Sequence, residues 1–200
     1  MRQQVEGKGA TEAGSSSGAA VRAGGYLLTA DDLSCCIRDI PDFPKQGILF
    51  KDITTLLKDP AAFARAVDLL AEPYLNEQID LVMSVESRGF IFGAPLAYKL
   101  GAGFVPARKP GKLPAECIGV EYALEYGTAA LQVHKDAIKP GQRVLVTDDL
   151  LATGGTVAAA IELIRRLGGE VVGLVFLIEL TFLKGRDRLP CQQIHSLIRY

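Results

Sequence analysis

Cysteine and histidine are scarce, and their spacing is uninformative. Cys35, Cys36, Cys117 and Cys191 form no C-x-x-C pair, and the two histidines, His134 and His195, are distant from them in sequence. A zinc site or disulfide framework has no support, and a reducing compartment, the cytoplasm, is the default expectation. A redox role for the vicinal Cys35-Cys36 and a catalytic base at His134 are both weaker readings than ordinary core or surface placement. Net charge is also lacking: the formal value is -1. Nucleic acid and anionic membrane therefore gain no bulk electrostatic support as partners. No apolar run reaches the roughly 18 residues of a membrane span. Three loop signatures are missing as well. There is no G-x-x-x-x-G-K-[ST], no strand followed by G-x-G-x-x-G, and no G-x-S-x-G. Nucleotide hydrolysis on a P-loop, dinucleotide binding and a serine-hydrolase elbow lose their anchors.

What the chain does have is one stretch on which a site can be built, Val144-Leu145-Val146-Thr147-Asp148-Asp149-Leu150-Leu151-Ala152-Thr153-Gly154-Gly155-Thr156. Val144 to Thr147 read as a buried strand, and two carboxylates follow where it is expected to end. The small-residue loop Ala152 to Thr156 leads into an amphipathic helix over 157–167, stopped by Gly168-Gly169. Gly154 and Gly155 let backbone N–H groups turn toward an anion at the positive end of the helix, and Thr153 and Thr156 add hydroxyl donors. Asp148 and Asp149 are placed to accept hydrogen bonds from sugar hydroxyls. Phosphate and ribose in one loop describe a phosphoribosyl site.

The segment Ile79 to Val85, then Glu86-Ser87-Arg88-Gly89, then a helix from Phe90 to Leu100, repeats this strand–loop–helix unit. Such repetition predicts an α/β fold with a central, mostly parallel sheet flanked by helices. Arg88, at a strand end, is a candidate ligand contact. Residues 1–32 are rich in Gly, Ala and Ser and read as a disordered tail, with an organellar transit segment as the weaker alternative. Residues 33–200 are the expected domain. Asp31 or Asp32 is expected to cap a short helix running to about Arg38. Asp59-Pro60 starts another through Leu75. The apolar, proline-broken stretch from Phe43 to Thr54 is either a loop pinned to the core or a flap over a flat ligand. Arg108, Lys109 and Lys112 lie in a Pro/Gly-broken loop suited to closing over a diphosphate. Glu125 is an exposed strand acid or a general acid. Lys184, Arg186, Asp187 and Arg188 read as a solvated face.

The stretch Val144 to Thr156 resembles the phosphoribosyl-diphosphate-binding motif of the type I phosphoribosyltransferases. Phe43-Pro44 through Thr54, Glu86 through Phe90, and Ala123-Leu124-Glu125-Tyr126-Gly127 narrow the resemblance to the adenine-specific branch. It covers about residues 35 to 200. It implies the type I fold, with a small N-terminal hood over about residues 33–58, and transfer of ribose 5-phosphate from phosphoribosyl diphosphate to adenine, giving AMP and diphosphate in purine salvage. It also implies Mg²⁺ and a homodimer. Carried over by position, Asp148 and Asp149 hold the ribose hydroxyls and support the metal, directly or through water or substrate. Ala152, Thr153, Gly154, Gly155 and Thr156 cradle the 5-phosphate. Ser87, Arg88, Arg108, Lys109 and Lys112 approach the diphosphate. Leu49, Phe50 and Lys51 recognise the base, and Glu125, Tyr126 and Arg88 serve catalysis, with Glu125 as general acid at adenine N7. Lys51 and Glu86 depart from the Arg and Asp of the best-known animal relatives. Two other readings stand beside this one: a regulator that binds phosphoribosyl diphosphate without catalysis, and an enzyme with an oxopurine acceptor.

Overall fold

A computed structural model describes residues 27–123, 128–189 and 193–200. Five strands form a parallel sheet: β3 (Leu81–Val85), β4 (Gly103–Ala107), β7 (Arg143–Leu151), β8 (Glu170–Glu179) and β9 (Ile194–Arg199), in the order β4-β3-β7-β8-β9. The sheet is buried on both faces, so side chains alternate between two apolar clusters rather than between core and water. Val82, Leu145, Val175 and Leu177 pack with Val67 and Leu70 of α3 (Pro60–Ala71) and with Phe92 and Leu96 of α4 (Gly89–Leu100). Met83, Val144, Val146, Leu174 and Phe176 pack on the other side with Ile161 and Ile164 of α5 (Gly155–Arg166). The expected parallel α/β architecture is present.

Two small antiparallel hairpins are added to this frame. β1 (Arg38–Pro41) pairs with β2 (Leu49–Asp52), and α1 (Ala30–Cys35) and α2 (Thr54–Leu57) flank that hairpin to make the hood. β5 (Cys117–Ala123) pairs with β6 (Thr128–His134). His134 sits at the far end of that second hairpin, where its Nε2 accepts the Ala115 N–H at 3.4 Å, a structural placement.

Several boundaries differ from the sequence reading. The first helix is capped by Thr29, not by Asp31 or Asp32; Asp32 is the N3 partner in a capping box, and the helix ends at Cys35. A Thr three residues before an acid satisfies two free N–H groups at once, which neither Asp alone does. The Leu28 carbonyl is held by Arg65 Nε at 2.8 Å, so ordered contacts begin inside the stretch assigned to the tail. Residues 1–26 lie outside the described residues. Helix α3 ends at Ala71 and continues as a 3₁₀ turn, Glu72–Tyr74. Strand β7 does not stop before the carboxylates: it runs through Asp148 and Asp149 to Leu151, paired with β8 along that length. The C-terminal region is two 3₁₀ turns, Thr181–Leu183 and Gly185–Arg188, followed by β9.

Asp59 accepts the N–H groups of Ala61 and Ala62 at 2.9 and 3.0 Å, with Pro60 in the first helical turn. Asp59→Ala is expected to lower stability by about 1 kcal/mol. A urea melt should show an earlier midpoint at constant slope; an unmoved midpoint would remove the cap from the account.

Candidate active site

Strand order decides where the site lies. From β3 the chain goes outward to β4, and β7 returns on the opposite side of β3, so the order reverses between β3 and β7. Ligands in open α/β sheets bind at the carboxyl ends of strands at such a reversal. Ser84 pairs with Thr147 in register, which brings Glu86 to Arg88 beside Asp148 and Asp149. A cavity of about 410 Å³ opens there, lined by Glu86, Ser87, Arg88, Lys109, Tyr122, Asp148, Asp149 and Thr156 among others. A second, of about 60 Å³, is walled by Asp148 and by residues 150–157.

Helices α4 and α5 both start at these cavities. Neither has a side-chain cap or an acidic residue in its first turn, so their leading N–H groups have no side-chain acceptor. Such ends attract anions. Gly154 takes φ 79°, the left-handed turn that aims the Ala152–Thr156 backbone at the smaller cavity. Gly89 serves close approach instead: a Cβ there would lie 2.7 Å from Asp148 Oδ1 and 3.0 Å from Ser84 Oγ.

The carboxylates stand at the junction. Arg88 Nε reaches Asp149 Oδ2 at 2.9 Å, and the Asp149 side chain is buried. Asp148 accepts the Asp149 N–H at 2.9 Å. Burial, and then the neighbouring Asp149 charge, push the Asp148 carboxyl well above its ordinary range. Burial also raises Asp149, with the Arg88 guanidinium opposing it. Two adjacent acids with one guanidinium are short of positive charge.

The basic loop is arranged unevenly. Lys109 lines the larger cavity. Arg108 does not: its Nε meets Glu86 Oε2 at 3.2 Å and its Nη1 donates to the Lys112 carbonyl at 2.9 Å. Glu86 also accepts the Lys109 N–H at 3.0 Å. Burial raises the Glu86 pKa, but that N–H and the Arg108 guanidinium outweigh it and hold the carboxyl below its usual range. Lys112 is exposed and contributes its carbonyl. Successive hood residues face opposite ways. Phe50 lies under the Arg88 guanidinium, 5.2 Å from ring centroid to Cζ, and packs edge-on against Phe43. Leu49 is half exposed. Lys51 points elsewhere, with Nζ 2.7 Å from Asp39 and 3.6 Å from the Tyr200 ring centroid. Of the three expected base contacts, Phe50 is tied to the site and the Lys51 side chain is not. Glu125 and Tyr126 lie outside the described residues.

Tyr122 was missed. It lines the cavity, and its hydroxyl is 3.4 Å from Thr156 Oγ1. A signal for it exists: Ile118, Val120 and Tyr122 alternate with exposed Gly119 and Glu121, the pattern of a half-buried strand.

A family model described as the phosphoribosyl transferase domain matches residues 52–194. The chain belongs to the phosphoribosyltransferase family. Its relatives include the adenine phosphoribosyltransferase of Chloroflexus aurantiacus, 60% identical over 173 residues that cover 86% of this chain and 100% of that protein. The solved adenine phosphoribosyltransferase of Thermoanaerobacter pseudethanolicus is 56% identical, with a TM-score of 0.84 over 86% of this chain and 100% of its own. That of Saccharomyces cerevisiae, solved with an imino-altritol bisphosphate and adenine, is 41% identical, with a TM-score of 0.80 over 84% and 97%. The five-stranded parallel sheet with its flanking helices is the type I phosphoribosyltransferase fold.

The raised carboxyls give a stability prediction. An acid whose folded pKa exceeds its unfolded value binds protons more tightly when folded. Its contribution to stability is therefore present at low pH and lost as pH rises through the folded pKa. Asp148→Asn should raise the melting temperature of the ligand-free protein near about pH 7, and the gain should shrink toward about pH 4. Melting curves across that range check this; a gain independent of pH would contradict the charge argument.

Proposed function

We propose that this enzyme transfers the 5-phosphoribosyl group of phosphoribosyl diphosphate to N9 of adenine, releasing AMP and diphosphate in purine salvage. The observation that carries it is the pairing of two uncapped helix starts around Asp148 and Asp149 in a chain whose high-identity relatives are adenine phosphoribosyltransferases. One helix start takes the 5-phosphate on Ala152 to Thr156. The other, with Ser87, Arg88 and Lys109, takes the diphosphate, and Asp148 and Asp149 hold the ribose hydroxyls between them. Arg108 and Lys112 shape the diphosphate loop through Glu86 and a backbone carbonyl. Phe50 stacks on the adenine ring, with the Leu49 and Lys51 backbone beside it.

Breaking the bond from ribose C1 to diphosphate leaves positive charge on the sugar and negative charge on the leaving group. Arg88, Lys109 and the α4 start stabilise the second, and the carboxylates face the first. Adenine must lose a proton as N9 bonds to ribose C1: Glu125, beside Tyr126, accepts it from the N7–H tautomer and returns it as general acid in the reverse direction. Mg²⁺ fits this floor: the donors are hard oxygens, and among the described residues no group of three or more His, Cys, Asp or Glu forms a protein cage. Mg²⁺ characteristically keeps water and substrate oxygens in its shell, so Asp148 and Asp149 would hold it through these. Bound with the substrate, the ion supplies neutralising charge to the departing diphosphate.

A homodimer is proposed from the exposed Ile91 and Tyr98 of α4 and Phe104 of the edge strand β4, beside the diphosphate loop. A cytoplasmic setting is proposed from the unpaired Cys35, Cys36 and Cys117. No helix among the described residues is long and apolar enough to cross a membrane.

The test mixes protein, Mg²⁺ and phosphoribosyl diphosphate with adenine, hypoxanthine, guanine or xanthine, and follows nucleotide and diphosphate. Product from adenine alone is expected; binding of the donor with no product from any base would favour the regulator. Glu125→Gln should lower turnover by about 10²–10⁴-fold with donor binding nearly intact. Turnover like that of the unaltered enzyme would take Glu125 out of the chemistry.

A further inference from the structure

Of the polar residues after β8, Lys184, Asp187 and Arg188 are exposed as the sequence suggests, but Arg186 is half-buried. Glu179, the last residue of β8, is 4% exposed, yet it carries an ion pair. Arg186 grips it with both arms of the guanidinium: Nη2 lies 2.7 Å from Oε2, and Nε bonds Oε1. The same Nη2 reaches Ser196 Oγ at 3.3 Å, and Arg199 Nε lies 3.5 Å from Glu179 Oε2. These bonds hold the Glu179 carboxyl below its ordinary range. The pair fixes the 3₁₀ turn Gly185–Arg188, entered through Lys184 in a left-handed conformation.

That turn is pressed against the phosphate loop. A Cβ on Gly154 would lie 2.6 Å from the Gly185 carbonyl oxygen and 3.5 Å from Arg188 Cβ; a Cβ on Gly185 would strike the Ala152 carbonyl oxygen. Leu180 N–H donates to the Leu151 carbonyl at 3.0 Å, stitching the start of the same segment to the strand that feeds the loop. Two backbones meet where only glycine on both sides allows it. The outer wall of the Ala152–Gly154 turn is thus the 184–188 turn, and that turn is held by Arg186 on Glu179.

We propose that the Glu179–Arg186 pair is a positioning clamp for the 5-phosphate loop. It touches no substrate. It sets the distance at which Gly185 backs Ala152 and Gly154, and so the direction of the N–H groups offered to the phosphate. Arg is suited to this because its planar fork takes both carboxylate oxygens at once, which an ammonium does not. The inference rests on the reading of Ala152 to Thr156 as the 5-phosphate site.

The test compares two ligands that occupy opposite ends of the site. Ribose 5-phosphate and Mg²⁺-diphosphate are titrated separately, by calorimetry, into the full chain and into Arg186→Gln, Arg186→Lys and Gly185→Ala. A loop displaced by a fraction of an ångström should weaken ribose 5-phosphate by about tenfold in Arg186→Gln and Gly185→Ala, and less in Arg186→Lys. Diphosphate affinity should stay within about twofold. A melting curve for each variant identifies the folded ones on which the comparison is read, and the lysine variant keeps charge if the glutamine variant does not fold. Equal weakening of both ligands, or unchanged ribose 5-phosphate affinity in the folded variants, overturns the clamp. Failure of the unaltered chain to bind ribose 5-phosphate overturns instead the site assignment beneath it.

Discussion

Asp148 and Asp149 are neighbours on a buried strand, and each carboxyl is pushed toward its protonated form by its surroundings. Removing charge from water is costly unless partners compensate. Arg88 meets Asp149, and only the absence of a side chain at Gly89 leaves room for Asp148 beneath the start of α4. Arg88, Gly89 and, through Arg88, Phe50 are placed relative to this pair. Arg88 comes from the loop after β3, which is why the β3–β7 pairing matters; Phe50 of the hood in turn rests against Arg88. One guanidinium therefore links the hood to the carboxylates.

The same shortage of positive charge makes chemical sense of the site. Two buried carboxyls with one guanidinium for a partner, set beside two anion-seeking helix starts, suit a ligand that is a sugar between two phosphate groups, accompanied by a divalent cation. The uneven basic loop fits as well. Glu86 neutralises Arg108 and fixes the Lys109 backbone, leaving the Lys109 side chain at the cavity. Polar groups that appear in sequence as one cluster of cations have different tasks once the loop is folded.

Much of the site was legible in the sequence because it depends on local order: a β-branched strand, two acids, a glycine turn and an amphipathic helix, repeated less plainly at 79–100. What escaped depends on distant contacts. Strand β7 continues through its acids because β8 pairs with it as far as Leu151, which the polar residues conceal. The Lys51 side chain turns away from Arg88 and Phe50 because Asp39 and Tyr200 attract it from elements far apart in the chain. Arg186 looks solvated until Glu179 is found buried beside it. Tyr122 hid in a strand whose glycine and glutamate interrupt the apolar positions, although their alternation carried the signal. The cap at Thr29 was obscured by two more obvious acids immediately after it.

In the proposed function, one cavity system holds a phosphate at each end of a ribose, with Asp148 and Asp149 between. A crystal structure of the chain grown with AMP and diphosphate together measures this directly. The expected result is the AMP phosphate on the N–H groups of residues 153–156, the ribose hydroxyls on the two carboxylates, adenine against Phe50, and diphosphate beside Ser87 and Lys109. AMP bound with its phosphate at the Lys109 end, or away from Asp148 and Asp149, would contradict the account.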